Sequence, residues 1–394
     1  MAYLAKVFKG KLLKENNESV EDVAVKIDHI TDMVEHPMLL HEVCALSILK
    51  DNRHIPEVYA WGRSQYYEYL VLQSLGPTLE ALFEIKAKDS QKERVSLRNL
   101  ASLVCQMLDV VEHVHSKGIV HRDIKPDNFV LGAPDTEFAG HLYLIDFGLC
   151  KFYRDPKTSR HLPDLSRERR LASRTFATIN DHYHRTLSRR DDMISLAYTI
   201  MALLTGILPW EFPLEDDQDT CGIPREALWN GGVISEGYPV VFSDFFNYAV
   251  KLQYDETPDY DLWKSRFHQL IPDLPENPLY DSNDTSQPRV GDSFTKVDEM
   301  TPANLETHLP MSNSTAPIPP CDDGWKPANE MIWDGPHSLE SGDVLDDDEL
   351  KFVIDSHIHI IEETPTSDVP LLDLDCPPER MRQVEELKRS CNLS

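Results

Sequence analysis

The octapeptide HRDIKPDN at residues 121–128 decides how the rest of this chain is interpreted. It carries the carboxylate of Asp123 and the carboxamide of Asn128, and an apolar run leads 23 positions later to Asp146, which begins an Asp-Phe-Gly tripeptide. Nearer the N-terminus, Lys26 lies within a short β-branched run at residues 23–27. Phosphoryl transfer requires a carboxylate near the attacking hydroxyl, metal ligands that bridge the phosphates, and a cation on the phosphates. These residues supply that set, so the sequence predicts a phosphoryl-transfer site.

Three motifs, in this order, resemble those of eukaryotic protein kinases: VAVK at residues 23–26, then HRDIKPDN, then DFG. The resemblance implies that Asp123 accepts the proton of the substrate hydroxyl. It also implies that Asn128 and Asp146 hold Mg²⁺ and that Lys26 contacts the α- and β-phosphates of ATP.

The same resemblance assigns further site residues. Lys26 is expected to pair with Glu42, and Lys125 to touch the transferring phosphate, as in serine/threonine rather than tyrosine kinases. Leu72 occupies the gatekeeper position, and the adenine-binding hinge runs from Gln73 to Leu75. A Lys26–Glu42 pair alone would be an ordinary surface ion pair, worth under about 1 kcal/mol. The agreement of six positions in order favours the catalytic interpretation.

Four segments narrow the resemblance to the casein kinase 1 group of serine/threonine protein kinases. They are LGPTLEALF at 75–83, DFGLCKFYRD at 146–155, ATIN at 177–180, where other kinases carry A-P-E, and RRDD at 189–192. The last segment implies that Asp192 braces the backbone of the catalytic loop.

The resemblance implies an α+β bilobal protein kinase fold, with a reduced N-lobe β-sheet plus a helix and a mainly helical C-lobe. We place the N-lobe at residues 1–75, the C-lobe at 76–272 and an acidic, mostly disordered tail at 273–394. Residues 281–394 contain 25 acidic and 8 basic residues. A segment with so many charged residues buries too little apolar surface to offset the entropy that is lost on ordering. We therefore expect most of the tail to be disordered.

Local patterns predict elements within the folded part. The β-branched runs at 23–27 and 69–72 predict strands. Apolar residues at helical spacing predict one helix between Leu39 and Leu49 and a longer one between Leu97 and Val114, which is expected to end at Gly118.

The N-terminus departs from the kinase pattern. MAYLAK at residues 1–6 resembles the strand that follows the glycine-rich loop, so the first strand and that loop are missing from the sequence. Either a truncated gene model or alternative start, or a loopless enzyme, would explain this. Without the loop we expect weaker ATP binding and slower turnover. The rival function is therefore a catalytically impaired kinase-like binding or scaffold module, with a prenyl anchor as one variant.

The charge distribution bears on substrates. A formal net charge of −28 argues against general nucleic-acid binding. Residues 151–190 nevertheless contain eleven basic and four acidic residues. We define the basic patch within this range as Arg154, Arg174, Arg185 and Arg189, and expect it to attract acidic or phosphorylated protein substrates. The alternative is a solvated loop with arginines at helix ends. The acidic tail could compete for the patch intramolecularly, which predicts autoinhibition.

Cysteine usage and the C-terminus bear on location. The seven cysteines are scattered without a C-x-x-C pair, which favours a reducing, intracellular location in the cytoplasm, the nucleus or both. Cys391 begins a C-terminal CNLS sequence that fits farnesylation. Either this cysteine is lipidated and gives membrane association, or its position is accidental. The alternating His357 and His359 favour a short docking strand over a metal site.

Overall fold

A computed structural model of the chain describes residues 6–13, 19–29, 38–63, 67–83, 95–165, 175–206, 208, 210, 235, 237–284 and 359–361. Its strands are β1 (Lys6–Leu13), β2 (Ser19–His29), β3 (Val58–Arg63), β4 (Tyr67–Gln73), β5 (Leu75–Thr78), β6 (Ile119–Val120), β7 (Phe129–Gly132), β8 (Leu142–Leu144), β9 (Lys151–Phe152) and β10 (His359–Ile361). Its helices are α1 (Met38–Leu49), α2 (Leu79–Phe83), α3 (Leu97–Ser116), α4 (Ile179–His182), α5 (Arg189–Thr205), α6 (Val240–Ala249) and α7 (Tyr260–His268). A sheet-rich N-lobe and a helical C-lobe confirm the α+β fold.

The N-lobe sheet has the strand order β10-β1-β2-β4-β3, and all neighbouring strands are antiparallel. Because side chains alternate between the faces of a strand, Val71 of β4 joins Val23 of β2 in a small cluster on one face. The adjacent Leu70 points to the other face and joins the main core with Leu39 and Leu46 of α1. The strands predicted from β-branched runs and the helix predicted between them are confirmed.

The outermost strand of this sheet comes from the tail. In β10, Ile361 lies opposite Lys9 of β1, and His359 lies opposite Lys11. The short docking strand expected around His359 is confirmed. The tail is predicted to be mostly disordered, and the parts of it that the structure describes are residues 273–284 and β10. The remaining parts of the tail beyond Asp284, residues 285–358 and 362–394, lie outside the described residues.

The long helix α3 forms the axis of the C-lobe. Its start is capped by Ser96, whose hydroxyl accepts a hydrogen bond from the backbone N–H of Asn99 at 3.0 Å. The buried apolar stripe of α3 packs beside α5, which is buried along almost its whole length. The helix ends at Ser116, and Gly118 follows with φ of +83°, as expected for a glycine at a helix end. Within the described ranges, no helix is both long and apolar enough to cross a membrane.

Two small sheets bring the HRDIKPDN and DFG motifs together. Strand β6 leads into residues 121–128, and β7 follows them. Strands β7 and β8 are antiparallel, with Phe129 opposite Leu144, so the start of β7 lies beside the end of β8. Asn128 and Asp146 therefore leave the same end of this strand pair.

The C-lobe continues beyond the predicted tail boundary at residue 273. The buried Asn99 carboxamide binds the backbone of Asp281 in both directions, accepting from its N–H at 2.8 Å and donating to its carbonyl oxygen at 2.7 Å. The N–H of Tyr280 donates to the carbonyl oxygen of Gly140 at 3.0 Å, and Ser96 donates to the Asp284 carboxylate at 2.6 Å. The predicted boundary thus falls within a segment that packs against α3.

Replacing Asn99 tests this attachment. Asn99→Ala leaves the Asp281 amide and carbonyl groups without their partner, so we expect the free energy of unfolding to fall by about 1–3 kcal/mol. Chemical denaturation of the full chain measures this. Asn283→Ala, an exposed asparagine of the same segment, is the matched control and should change stability by no more than about 0.5 kcal/mol. Equal stabilities of the two variants would contradict a structural role for the segment.

Candidate active site

The loop at residues 121–128 is held by a buried carboxylate of α5. Asp192, only 1% exposed, accepts hydrogen bonds from the backbone N–H groups of His121 at 2.7 Å and Arg122 at 2.8 Å. A third hydrogen bond comes from Nε2 of His115 at 2.9 Å. Burial opposes ionisation of Asp192, but these donors outweigh burial and lower its pKa. The structure therefore places Asp192 where the family resemblance expects a brace.

This brace stabilises an unfavourable backbone conformation. Arg122 has φ of +70°, which is rare for a residue with a side chain and costs free energy. Its backbone N–H is fixed by Asp192, and its Nε donates to the carbonyl oxygen of Leu149 at 2.6 Å. These two hydrogen bonds hold the backbone in this conformation at the residue immediately before Asp123.

Asp123 is buried and surrounded by donors. Lys125 places its ammonium nitrogen 2.6 Å from Oδ2 of Asp123. The carboxamide of Asn128 donates to the backbone carbonyl of Asp123 at 2.7 Å and to Oδ2 at 3.1 Å. The carboxylate is thus fixed within a compact group formed by three of the predicted residues. An oriented carboxylate of this kind can accept a proton from a hydroxyl group.

Lys26 joins three separate elements. Its ammonium nitrogen on β2 lies 2.8 Å from Glu42 of α1 and 2.9 Å from Asp146, which follows β8. Burial lowers the pKa of Lys26, but the charges of Glu42 and Asp146 outweigh burial and raise it. Burial also disfavours the charged form of Asp146, yet Lys26 holds the pKa of that carboxyl below its usual range. Burial raises the pKa of Glu42, and Lys26 opposes this rise.

The residues after Asp146 fix the direction of its side chain. Asp146 itself has a left-handed backbone, with φ of +65°. The fully buried Phe147 packs edge-on against His121, with ring centroids 4.9 Å apart, and His121 also donates to the carbonyl oxygen of Ile145 at 3.0 Å. The partly exposed Asp146 carboxylate is thereby directed toward Lys26.

Asn128 and Asp146 offer the oxygen ligands that Mg²⁺ prefers. Among the described residues, no group of three or more histidine, cysteine, aspartate or glutamate side chains could hold a metal alone.

A family model of the protein kinase domain matches residues 4–226, more than half of the chain. The chain belongs to the protein kinase family. Similar curated proteins include casein kinase I homolog 2 of Schizosaccharomyces pombe, 36% identical over 60% of this chain and 54% of that protein. Casein kinase I homolog 1 of the same yeast is 32% identical over 67% of this chain and 58% of that protein. Casein kinase I homolog 2 of Saccharomyces cerevisiae is 31% identical over 67% and 48%.

These matches place the kinase in the casein kinase 1 group, as its motifs predict. The chain spans about half the length of these relatives.

The predicted adenine-binding residues lie at the junction between the lobes. Leu72 and Gln73 end β4, and Leu75 begins β5, where it pairs with Gly132 of β7. Gln73 is buried, and its side chain donates to the Tyr143 hydroxyl at 3.3 Å. This segment therefore connects the N-lobe sheet directly to β7 and β8, the strands next to Asn128 and Asp146.

The structure describes three members of the basic patch. Arg154 and Arg189 both lie over the ring of Tyr153, at 5.8 and 4.6 Å from its centroid. Arg185 forms an ion pair with Asp164. The patch arginines thus also bind groups of their own lobe. Arg174 and Cys391 lie outside the described residues, and their predicted roles stay predictions.

Sequence reasoning missed His41. This residue precedes Glu42 on α1, and its Nε2 lies 2.8 Å from the backbone carbonyl oxygen of Cys150. The helix that supplies Glu42 is therefore also joined to the chain just beyond Asp-Phe-Gly. A histidine on a helix carries no sequence mark for a partner 109 positions away, and only the tertiary structure reveals this contact. His115, which supports Asp192, escaped notice for the same reason.

The kinase should depend strongly on Asp192 for the conformation of its catalytic loop. Asp192→Asn keeps the size of the side chain but places a donor where three donors converge. We expect a loss of about 2–4 kcal/mol in unfolding free energy and faster hydrogen exchange at the amides of His121 and Arg122. Denaturation and site-resolved exchange measure the two effects.

The matched control is Asp135→Asn, the same substitution at an exposed residue with φ of +63°, a conformation that asparagine tolerates. It should leave both quantities nearly unchanged. Unaltered exchange at His121 and Arg122 in the Asp192 variant would contradict the bracing role.

Proposed function

We propose that this protein is a serine/threonine protein kinase of casein kinase 1 type, which transfers the γ-phosphate of ATP to serine or threonine in acidic or already phosphorylated protein substrates. The observation that carries the proposal is that the loop with Asp123, Lys125 and Asn128 lies beside the segment that ends in the Lys26–Asp146 pair. The N–H of Ile145, next to Asp146, donates to the carbonyl oxygen of Asn128 at 3.0 Å. A binding module alone would not require these groups together.

Asp123 would act on the substrate hydroxyl. Its carboxylate orients the hydroxyl and accepts its proton as the oxygen attacks the γ-phosphorus and the bond to the β-phosphate breaks. Lys125, 2.6 Å from that carboxylate, places a positive charge beside the phosphoryl group in transfer. Asn128 holds Asp123 in place by donating to its carbonyl and carboxylate oxygens. This division of roles follows the family resemblance and agrees with the distances.

Lys26 would bind the α- and β-phosphates of ATP. Its raised pKa keeps Lys26 protonated at neutral pH. A Glu42 carboxylate oxygen lies 2.8 Å from its ammonium nitrogen. Asn128 and Asp146 would hold Mg²⁺, which neutralises phosphate charge when bound. The lowered pKa of Asp146 keeps that residue anionic and able to serve as a ligand.

The basic patch supports the choice of acidic or phosphorylated substrates. Arg154 and Arg189 lie together on Tyr153, and the Tyr153 ring is 5.3 Å from His161. Stacking on a common aromatic ring holds guanidinium groups in fixed positions, which reduces the entropy lost when they bind an anion. Guanidinium groups bind carboxylates and phosphates through paired hydrogen bonds. The acidic tail carries the same kind of group, and its competition for the patch is part of this proposal.

Replacing Asp123 tests the catalytic assignment. Asp123→Asn removes the proton acceptor but retains the shape of the loop, so we expect kcat for casein phosphorylation to fall by about 10²–10⁴-fold. Binding of a fluorescent ATP analogue with Mg²⁺ should persist. Asp135→Asn should retain wild-type turnover. If the Asp123 variant and the wild type phosphorylated casein equally, the enzymatic proposal would fail in favour of a kinase-like binding module.

Replacing patch arginines tests substrate selection. Arg154→Gln with Arg185→Gln should raise KM for a phosphorylated or acidic peptide about 5–10-fold, because charge-assisted contacts are lost, while KM for ATP stays constant. Steady-state kinetics at two salt concentrations measure this.

The matched control for the patch is Arg98→Gln. Arg98 is a C-lobe arginine that pairs with Asp273 near the start of α3, away from the patch. It should leave both KM values unchanged. An unchanged KM for the acidic peptide in the patch variant would contradict the proposed specificity.

A further inference from the structure

The outer edge of β1 is the place where the tail meets the kinase domain. In the order β10-β1-β2, one side of β1 pairs with β2 and the other side with β10. Lys9, Gly10 and Lys11 lie opposite Ile361, Ile360 and His359 in antiparallel register. An edge strand without such a partner exposes a row of backbone donors and acceptors.

Sequence chemistry agrees with this pairing. The tail segment contains adjacent isoleucines, which favour extended structure. Glu362 and Glu363 follow them directly in the sequence. Strand β1 carries lysines at positions 6, 9 and 11. Lys6 and Lys9 are exposed, and Lys11 forms an ion pair with Asp22 of β2. The sequence thus sets acidic residues next to a segment that pairs with a lysine-bearing strand, and we expect this charge complementarity to favour the pairing.

We propose that the edge of β1 is a docking site for an extended acidic peptide and that its occupant is the tail segment around His359–Ile361 of the same chain. Main-chain hydrogen bonds supply the affinity, and the lysines of β1 select the acidic segment. The tail thus binds the N-lobe at a place separate from the basic patch. This inference is independent of the proposed phosphoryl transfer.

Strand β1 alone separates the docked strand β10 from β2, the strand that carries Lys26. Val7 of β1 lies opposite Lys26 of β2 in the sheet. Pairing on both sides of β1 restricts the fraying of β1, which is the neighbour of the Lys26 strand β2. Docking of the tail therefore stabilises β1.

The chain's own tail is favoured over a second copy as the occupant. Residues 285–358 connect the C-lobe to the docked strand, and so many residues can extend to roughly 250 Å, so length does not prevent docking in cis. A tethered segment binds independently of protein concentration, whereas a second copy does not.

Disulfide trapping in the full chain tests the register and the occupant. Lys9→Cys with Ile361→Cys places two thiols on directly opposed residues, within the range that a disulfide spans. We expect an intramolecular crosslink, identified by peptide mapping, at least 5-fold more abundant than in a control that combines Lys9→Cys with Ser367→Cys. Equal crosslinking in the two variants would overturn the docking site. A crosslink that forms mainly between chains would overturn the assignment in cis.

Hydrogen exchange tests the effect on β1. Because alternate N–H groups of an antiparallel edge strand face the ladder, Ile360→Pro combined with Ile361→Pro removes a ladder donor in either case. We expect the amides of Lys6–Leu13 to exchange at least 3-fold faster, with the amides of α5 unchanged. Leu371→Pro, another tail proline substitution, should leave β1 as in the wild type. Unchanged exchange of β1 in the double-proline variant would overturn the stabilising role. Neither readout requires kinase activity, so failure here is distinguishable from failure of the proposed function.

Discussion

The ammonium group of Lys26 between two carboxylates is the interaction on which the arrangement of this fold depends. It joins a strand of the N-lobe sheet, helix α1 and the loop after β8 through contacts of 2.8 and 2.9 Å to Glu42 and Asp146. An ammonium taken from water without partners costs several kcal/mol, so Lys26 is stable at this depth only while both carboxylates are near. The Lys26 ion pairs therefore help to fix the relative position of the two lobes.

A second constraint operates within the C-lobe. Asp192 fixes the backbone at His121 and Arg122, and this determines where Asp123 lies. Asp192 lies on α5, a helix that is buried along almost its whole length, so the brace is rigid. The proposed catalytic carboxylate of Asp123 is thus positioned from a rigid helix, and the proposed phosphate-binding ammonium of Lys26 by ion pairs with Glu42 and Asp146. This division explains why the chemical groups are close in space although they come from distant parts of the sequence.

The sequence was informative where the relevant pattern is local. β-branched runs and helical periodicity predicted β2, β4, α1 and α3, because burial of one face imposes a short repeat. Motifs with fixed spacing indicate the site residues, since each motif lies within one strand, helix or loop. Contacts between distant segments carry no such repeat. The hydrogen bond of His41 to Cys150 and the attachment of Asn99 to Asp281 could be found only in the folded structure. Charge counts predict the basic patch, but the stacking of Arg154 and Arg189 on Tyr153 depends on tertiary packing.

A crystal structure of the chain with Mg²⁺ and a non-hydrolysable ATP analogue would test the central claim most directly. The account predicts that Lys26 Nζ lies about 3 Å from an α- or β-phosphate oxygen. It also predicts that oxygens of Asn128 and Asp146 ligate Mg²⁺ at about 2.1 Å, with Asp123 facing the γ-phosphate. A nucleotide bound elsewhere, or one whose phosphates point away from Lys26 and Asp146, would contradict it.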